Sequence, residues 1–96
     1  MKSFVCSLCH NGILGGALYL DSQSLTYTTN KLTVDKKYRN LILPIREIRE
    51  ISWKWIAFPV ATVHMKNDER YHFIIFNKSR FEKRFLGIKI ESDNPN

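Results

Sequence analysis

Ninety-six residues with 44% apolar, 12% aromatic and 25% charged content carry enough apolar surface to offset ordering entropy, which excludes a disordered chain and leaves little bulk for a deep reaction cleft. Fifteen Lys and Arg against nine Asp and Glu give a net charge of +6, a field that attracts polyanions such as anionic lipid, nucleic acid or an acidic protein. The two cysteines, Cys6 and Cys9, are too few and too close for a disulfide framework.

The start, MKSFVCSLCHNG, is too short in apolar length for a secretory signal. No stretch approaches a membrane span. The expectation is a cytoplasmic chain whose membrane contact, if it has one, is peripheral at the inner face. No linker or repeat divides residues 1–96, so one domain is expected, with a core over 13–87 and loosely held ends at 1–11 and 92–96.

Ile13 to Leu20 reads as a strand with a glycine pair near its start, where another backbone approaches or the strand bends. Asp21 to Ser24 is a polar turn, and Leu25 to Thr29 alternates, so the two runs form a hairpin. Asn30 to Asn40 is polar and basic, with a short extended piece at Leu32 to Val34. Leu41 to Ile45 carries Pro44, which suits an edge or bulge better than a central strand.

Ile45, Ile48 and Ile51 recur every third residue before the pattern turns two-fold through Trp53 and Trp55, which predicts a bend followed by a strand. Val60 to Lys66 alternates, Asn67 to Glu69 is a turn, and Arg70 to Phe76 alternates again, giving a second hairpin. Then the period changes. Ser79 and Glu82 have the spacing of a capping box, Phe81, Phe85 and Ile88 follow at helical spacing, and Gly87 ends or interrupts the helix. A mostly antiparallel β protein should therefore end in a short amphipathic helix whose phenylalanines plug an otherwise open sheet or barrel.

Several of these segments, in this order, resemble GRAM domains, a branch of the pleckstrin-homology-like superfold. The family's opening strand, of the form G-x-L-Y-L-T, is similar to Gly16-Ala17-Leu18-Tyr19-Leu20-Asp21, and its next strand to Leu25-Thr26-Tyr27. Its I-P-L-x-D-I-x-x-V segment, which leads into a fourth strand, is similar to Leu43 to Ile51, with Glu47 at the acidic position. Arg70 to Phe73 and the Phe81/Phe85 helix stand where the family has an aromatic strand and a closing helix. The resemblance covers roughly residues 13 to 87. It implies a strongly bent antiparallel sheet or partly open barrel of about seven strands capped by one C-terminal α-helix, with no cofactor and no catalytic residues. One departure bears on function. The turn Asp21 to Ser24 carries one carboxylate and no cation where related domains that grip phosphoinositides place Lys or Arg, so headgroup binding is not expected there.

Cys6-Ser7-Leu8-Cys9-His10 fits the haem-attachment pattern, but such attachment needs export and usually a helical protein, and neither is expected here. Zinc would need a fourth ligand beyond Cys6, Cys9 and His10, and only His64 or His72 is available to supply one. Reduced thiols, no metal and no cofactor are expected. No nucleophile, phosphate-loop or metalloprotease motif is present, and the acidic residues stand among Arg and Lys, so no enzyme is expected.

Two stretches are candidate contact surfaces. The basic patch Lys31, Lys36, Lys37 and Arg39, with Tyr38 between, would lie on an anionic membrane surface. The aromatic patch Trp53, Trp55, Ile56 and Phe58 has more apolar residues than one strand of a small barrel hides, and its remainder would dock a protein partner or a second copy. The expected function is a non-catalytic binding module acting through protein contact, self-association or peripheral contact with anionic membrane. A small basic nucleic-acid binder is the alternative, disfavoured because the cations are not interleaved with aromatics along one groove.

Overall fold

The computed structural model describes residues 2–9, 12–30 and 36–93. Seven strands form one antiparallel sheet: β1 (Lys2–Cys9), β2 (Ile13–Leu20), β3 (Ser24–Thr28), β4 (Asn40–Pro44), β5 (Ile48–Trp55), β6 (Pro59–Met65) and β7 (Arg70–Ile75). Their order across the sheet is β4-β3-β2-β1-β7-β6-β5, so β4 and β5 are unjoined edges and the sheet stays open. A short helix α1 (Lys36–Arg39) precedes β4, a 3₁₀ turn (Ile45–Glu47) links β4 to β5, and α2 (Lys78–Asp93) closes the chain.

The expected mainly β fold with about seven strands and a C-terminal helix is what the chain adopts. Period-two alternation places Leu18 and Leu20, Leu25 and Tyr27, Leu41 and Leu43, Ala61 and Val63, and Phe73 and Ile75 on the inner face, all buried. Helix α2 lies over that face and inserts Phe81, Phe85 and Ile88 into it. Phe81 meets Phe4 edge-on at 5.1 Å between ring centres and Trp53 at 6.1 Å, and stacks on Phe85 at 6.2 Å. Such aromatic pairs add a little beyond the area that they bury. Pro44 ends edge strand β4, where a missing N–H leaves no partner strand short of a bond.

Three expectations need correction. Residues 1–11 were expected to be loosely held, yet Lys2–Cys9 is the middle strand of seven, paired with β2 along its length and with β7 at Cys6, Ser7 and Leu8. Phe4, Cys6 and Leu8 face the core, and this alternation is why the segment is a strand. The Gly16-to-Asp21 segment is consequently the second strand, not the first, and Leu43 to Ile51 leads into the fifth rather than the fourth. The helix starts at Lys78, one residue before the expected cap: the Phe81 N–H already donates to the Asn77 carbonyl at 3.0 Å, so Ser79 sits inside the first turn. It also runs through Gly87 to Asp93, so Gly87 does not end it and Ser92 belongs to the helix.

Gly16 is required by packing. A Cβ there would overlap the Thr28 carbonyl oxygen and the Tyr27 ring. The Tyr27 hydroxyl reaches past it to donate to the Leu14 carbonyl at 2.8 Å, which fixes the β2–β3 crossing.

Candidate functional site

Both cysteines lie on β1, three residues apart, so their side chains leave opposite faces of the strand. Cys6 is buried in the core, and burial pushes its thiol up to about 12. Two thiols aimed in opposite directions cannot close on one haem or one zinc ion. Among the described residues no His, Cys, Asp and Glu cluster could hold a metal ion. His10 lies outside the described residues. His64 and His72 instead join the outer face of the sheet, where His64 Nε2 shares a hydrogen bond with the Ser52 hydroxyl at 2.8 Å and His72 Nδ1 with Thr62 at 2.9 Å.

The basic stretch is only partly a free surface. Lys31 lies outside the described residues, as does the Leu32–Val34 segment. Lys36 and Lys37 are exposed on α1. Lys37 bridges to Glu69 at 3.6 Å and sits 5.5 Å and 5.7 Å from the ring centres of Tyr38 and Tyr71. The tyrosines, then Glu69, favour its charged form and raise its pKa. Glu69 is held low by the hydrogen bond from Asn67, then by that from the Tyr71 hydroxyl. Arg39 is half-buried at the end of α1. Of the patch, Lys37 is thus tied into the β6–β7 turn.

The aromatic stretch divides. Trp53 is half-buried, packed on Phe81 and covered by the Lys78 ammonium 5.3 Å from its ring centre. Trp55 and Ile56, at 72% and 63% exposure, lie open at the β5–β6 turn, with Phe58 half-buried beside them. The alternation that buries Trp53 fails at Trp55 because α2 begins beside Trp53 and does not extend to the end of the hairpin.

Two features that sequence reasoning missed stand at this same end of the sheet. The β6–β7 ladder ends at Val60 opposite Ile74. Phe58 and Phe76, each two residues further on, share that end and that outer parity. Phe76 is 61% exposed and lines a shallow depression with Val5, itself 73% exposed, together with Ser3, Phe4, Asn77 and Arg80. Next to it, sharing Phe4 and Arg80, is a cavity of about 490 Å³ lined by Ser22 of the β2–β3 turn and by Arg80, Lys83, Arg84 and Glu91 of α2. The turn without a cation is therefore faced by three cations from the helix. Arg80 lies 5.2 Å over the Phe4 ring, and among the described residues none of the three forms an ion pair. The signal for this cluster was present as the i, i+3, i+4 spacing of Arg80, Lys83 and Arg84.

The two predicted patches are not brought together. Lys37 stands with Glu69 at the start of β7, while Trp55, Ile56 and Phe58 share the end of the sheet where β7 finishes. The α2 cations, not those of α1, adjoin the apolar end.

No family model and no curated protein matches the chain. Its fold is shared. The C-terminal domain of an unknown protein from Leishmania infantum superposes with a TM-score of 0.77 over 94% of this chain and 83% of that one, at 13% identity. Identity that low shows the architecture alone.

Proposed function

We propose that this chain is a non-catalytic, GRAM-like binding module that attaches peripherally to an anionic membrane surface through the end of the sheet where α2 begins. One observation carries the reading: exposed Ile56, Phe76 and Val5 share that end with Lys78, Arg80, Lys83 and Arg84, cations without an ion pair among the described residues. Apolar side chains enter the headgroup boundary while cations meet lipid phosphates, each cation near the surface contributing roughly 1 kcal/mol. The α2 cavity has the size and charge for one anionic headgroup. Among the described residues no helix is long and apolar enough to cross a membrane; the attachment proposed is a surface one.

Co-sedimentation with vesicles over a salt series tests the reading. Anionic vesicles should bind and zwitterionic ones should not, with affinity falling as salt rises. Lys83→Glu with Arg84→Glu should weaken binding at least about tenfold, since two attractive contacts become repulsive. Lys36→Glu with Lys37→Glu should change it little. Equal binding to both vesicle types would overturn the proposal. Retention on heparin that outlasts vesicle binding in the same salt series would mark a nucleic-acid binder instead.

A further inference from the structure

The two sheet edges are protected unequally. Edge strand β4 has five residues and ends in Pro44, two devices that discourage pairing with another strand. Edge strand β5 has eight residues and no proline, and its one irregularity falls between Ile48 and Glu50, which leaves Glu50 to Trp55 in regular register with β6. Its outer edge therefore presents a row of main-chain donors and acceptors with no partner strand.

Side chains along that edge are also open to a partner. Glu50 and Lys54 are exposed on the outer face and form no ion pair among the described residues. On the inner side, Ile51 and Trp53 are only half-buried and line a groove with Leu86 of α2, which is 51% exposed.

The geometry points to a second copy of this chain as the occupant, paired β5 to β5 antiparallel about a two-fold axis at Ser52. In that register Glu50 stands opposite the partner's Lys54, and Lys54 opposite the partner's Glu50. Ile51 stands opposite the partner's Trp53, and the same pair recurs across the axis. Opposed residues in an antiparallel pair come close enough for an ion pair. Moving the axis to Ile51 sets Lys54 against Ile48, and moving it to Trp53 sets Glu50 against Ile56. An axis between two residues would join the apolar inner face of one sheet to the outer face of the other. Only the Ser52 axis satisfies both charges and keeps Ile51, Trp53 and Leu86 on one side, as an isologous contact requires. The dimer is a fourteen-stranded open sheet, two copies of the seven-stranded one. Its contact uses the side of the sheet and membrane attachment uses the end, so the two stand or fall separately.

The test is sedimentation equilibrium of the full chain without lipid, over a concentration series. The wild-type chain should show a monomer–dimer equilibrium. Glu50→Lys and Lys54→Glu should each weaken it at least about tenfold, because both symmetric contacts become like-charged. An equimolar mixture of the two variants should dimerise again, since the mixed dimer sets a cation opposite a carboxylate at both contacts. A wild-type chain that stays monomeric up to about 1 mM overturns the proposal. So does a dimer indifferent to both reversals, or a mixture that stays monomeric while circular dichroism shows both variants folded.

Discussion

The β2–β3 and β5–β6 hairpins are built alike but turn in opposite styles. At the first, Asp21 Oδ1 accepts from the Gln23 N–H at 2.7 Å and the Ser24 N–H at 2.9 Å, and the Asp21 N–H donates to the Ser24 carbonyl at 3.1 Å. Asp21 and the two amides it holds are explained by turn chemistry. At the second, Ile56, Ala57 and Phe58 close the chain with a single backbone bond, Ile56 N–H to the Phe58 carbonyl at 3.2 Å. Nothing in that turn's hydrogen bonding requires apolar side chains, and Ile56 is left 63% exposed. A turn whose residues serve the fold is a structural turn; one whose residues do not is a candidate for contact with something else.

The contrast can be broken most severely at Gly16. Gly16→Ala drives a methyl group against the Thr28 carbonyl and the Tyr27 ring, so β2 and β3 must separate. We expect a loss of about 1–3 kcal/mol by denaturant titration. Ala57→Gly in the β5–β6 turn should cost only a few tenths, because Ala57 is exposed. Equal losses at the two sites would mean that the second turn is structural after all.

A smaller effect sharpens the same comparison. Asp21→Ala removes an acceptor for two amides and should cost about 1 kcal/mol at neutral pH. The two backbone N–H groups stabilise the carboxylate and lower its pKa. The folded chain therefore binds fewer protons than the unfolded one through this window, and the contribution of Asp21 is present above the unfolded value of about 3.9 and lost as pH falls through the lower folded value. Wild type and variant should converge in stability in acid. A gap that persists there would show that the charge is not what the turn uses.

How far these features could be read from the chain depends on the kind of interaction involved. The β2–β3 hairpin and the alternation of β6 and β7 were legible because period and turn chemistry are local. Strand β1 was not, although Phe4, Cys6 and Leu8 alternate, because its apolar run is short and meets Asn11 and Gly12 almost at once. Its status as the central strand comes from pairing with β7, about seventy residues away, which no local pattern announces. The split between Trp53 and Trp55 was also hidden, since it depends on where α2 begins over the sheet. The cations of α2 were visible as a charged helical stripe, but only the fold sets them against Ser22 and the exposed end of β7.

A small change in stability should accompany the largest change in contact. Ile56→Ser with Phe58→Ser alters the tip of the β5–β6 hairpin without touching its backbone bond. Ile56 is 63% exposed, so its removal should move stability by less than about 0.5 kcal/mol; half-buried Phe58 adds a modest cost, while core residues such as Phe81 would cost several-fold more. Under the attachment proposed above, losing two apolar side chains from the tip should still reduce anionic-vesicle binding by roughly tenfold or more, because each buried side chain is worth about 1.5–3 kcal/mol when fully withdrawn from water. Thermal melts and vesicle titrations on the same samples separate the two quantities. If binding is unchanged while stability falls, the tip packs for the fold, as the Asp21 turn does, and the two hairpins differ in chemistry but not in purpose.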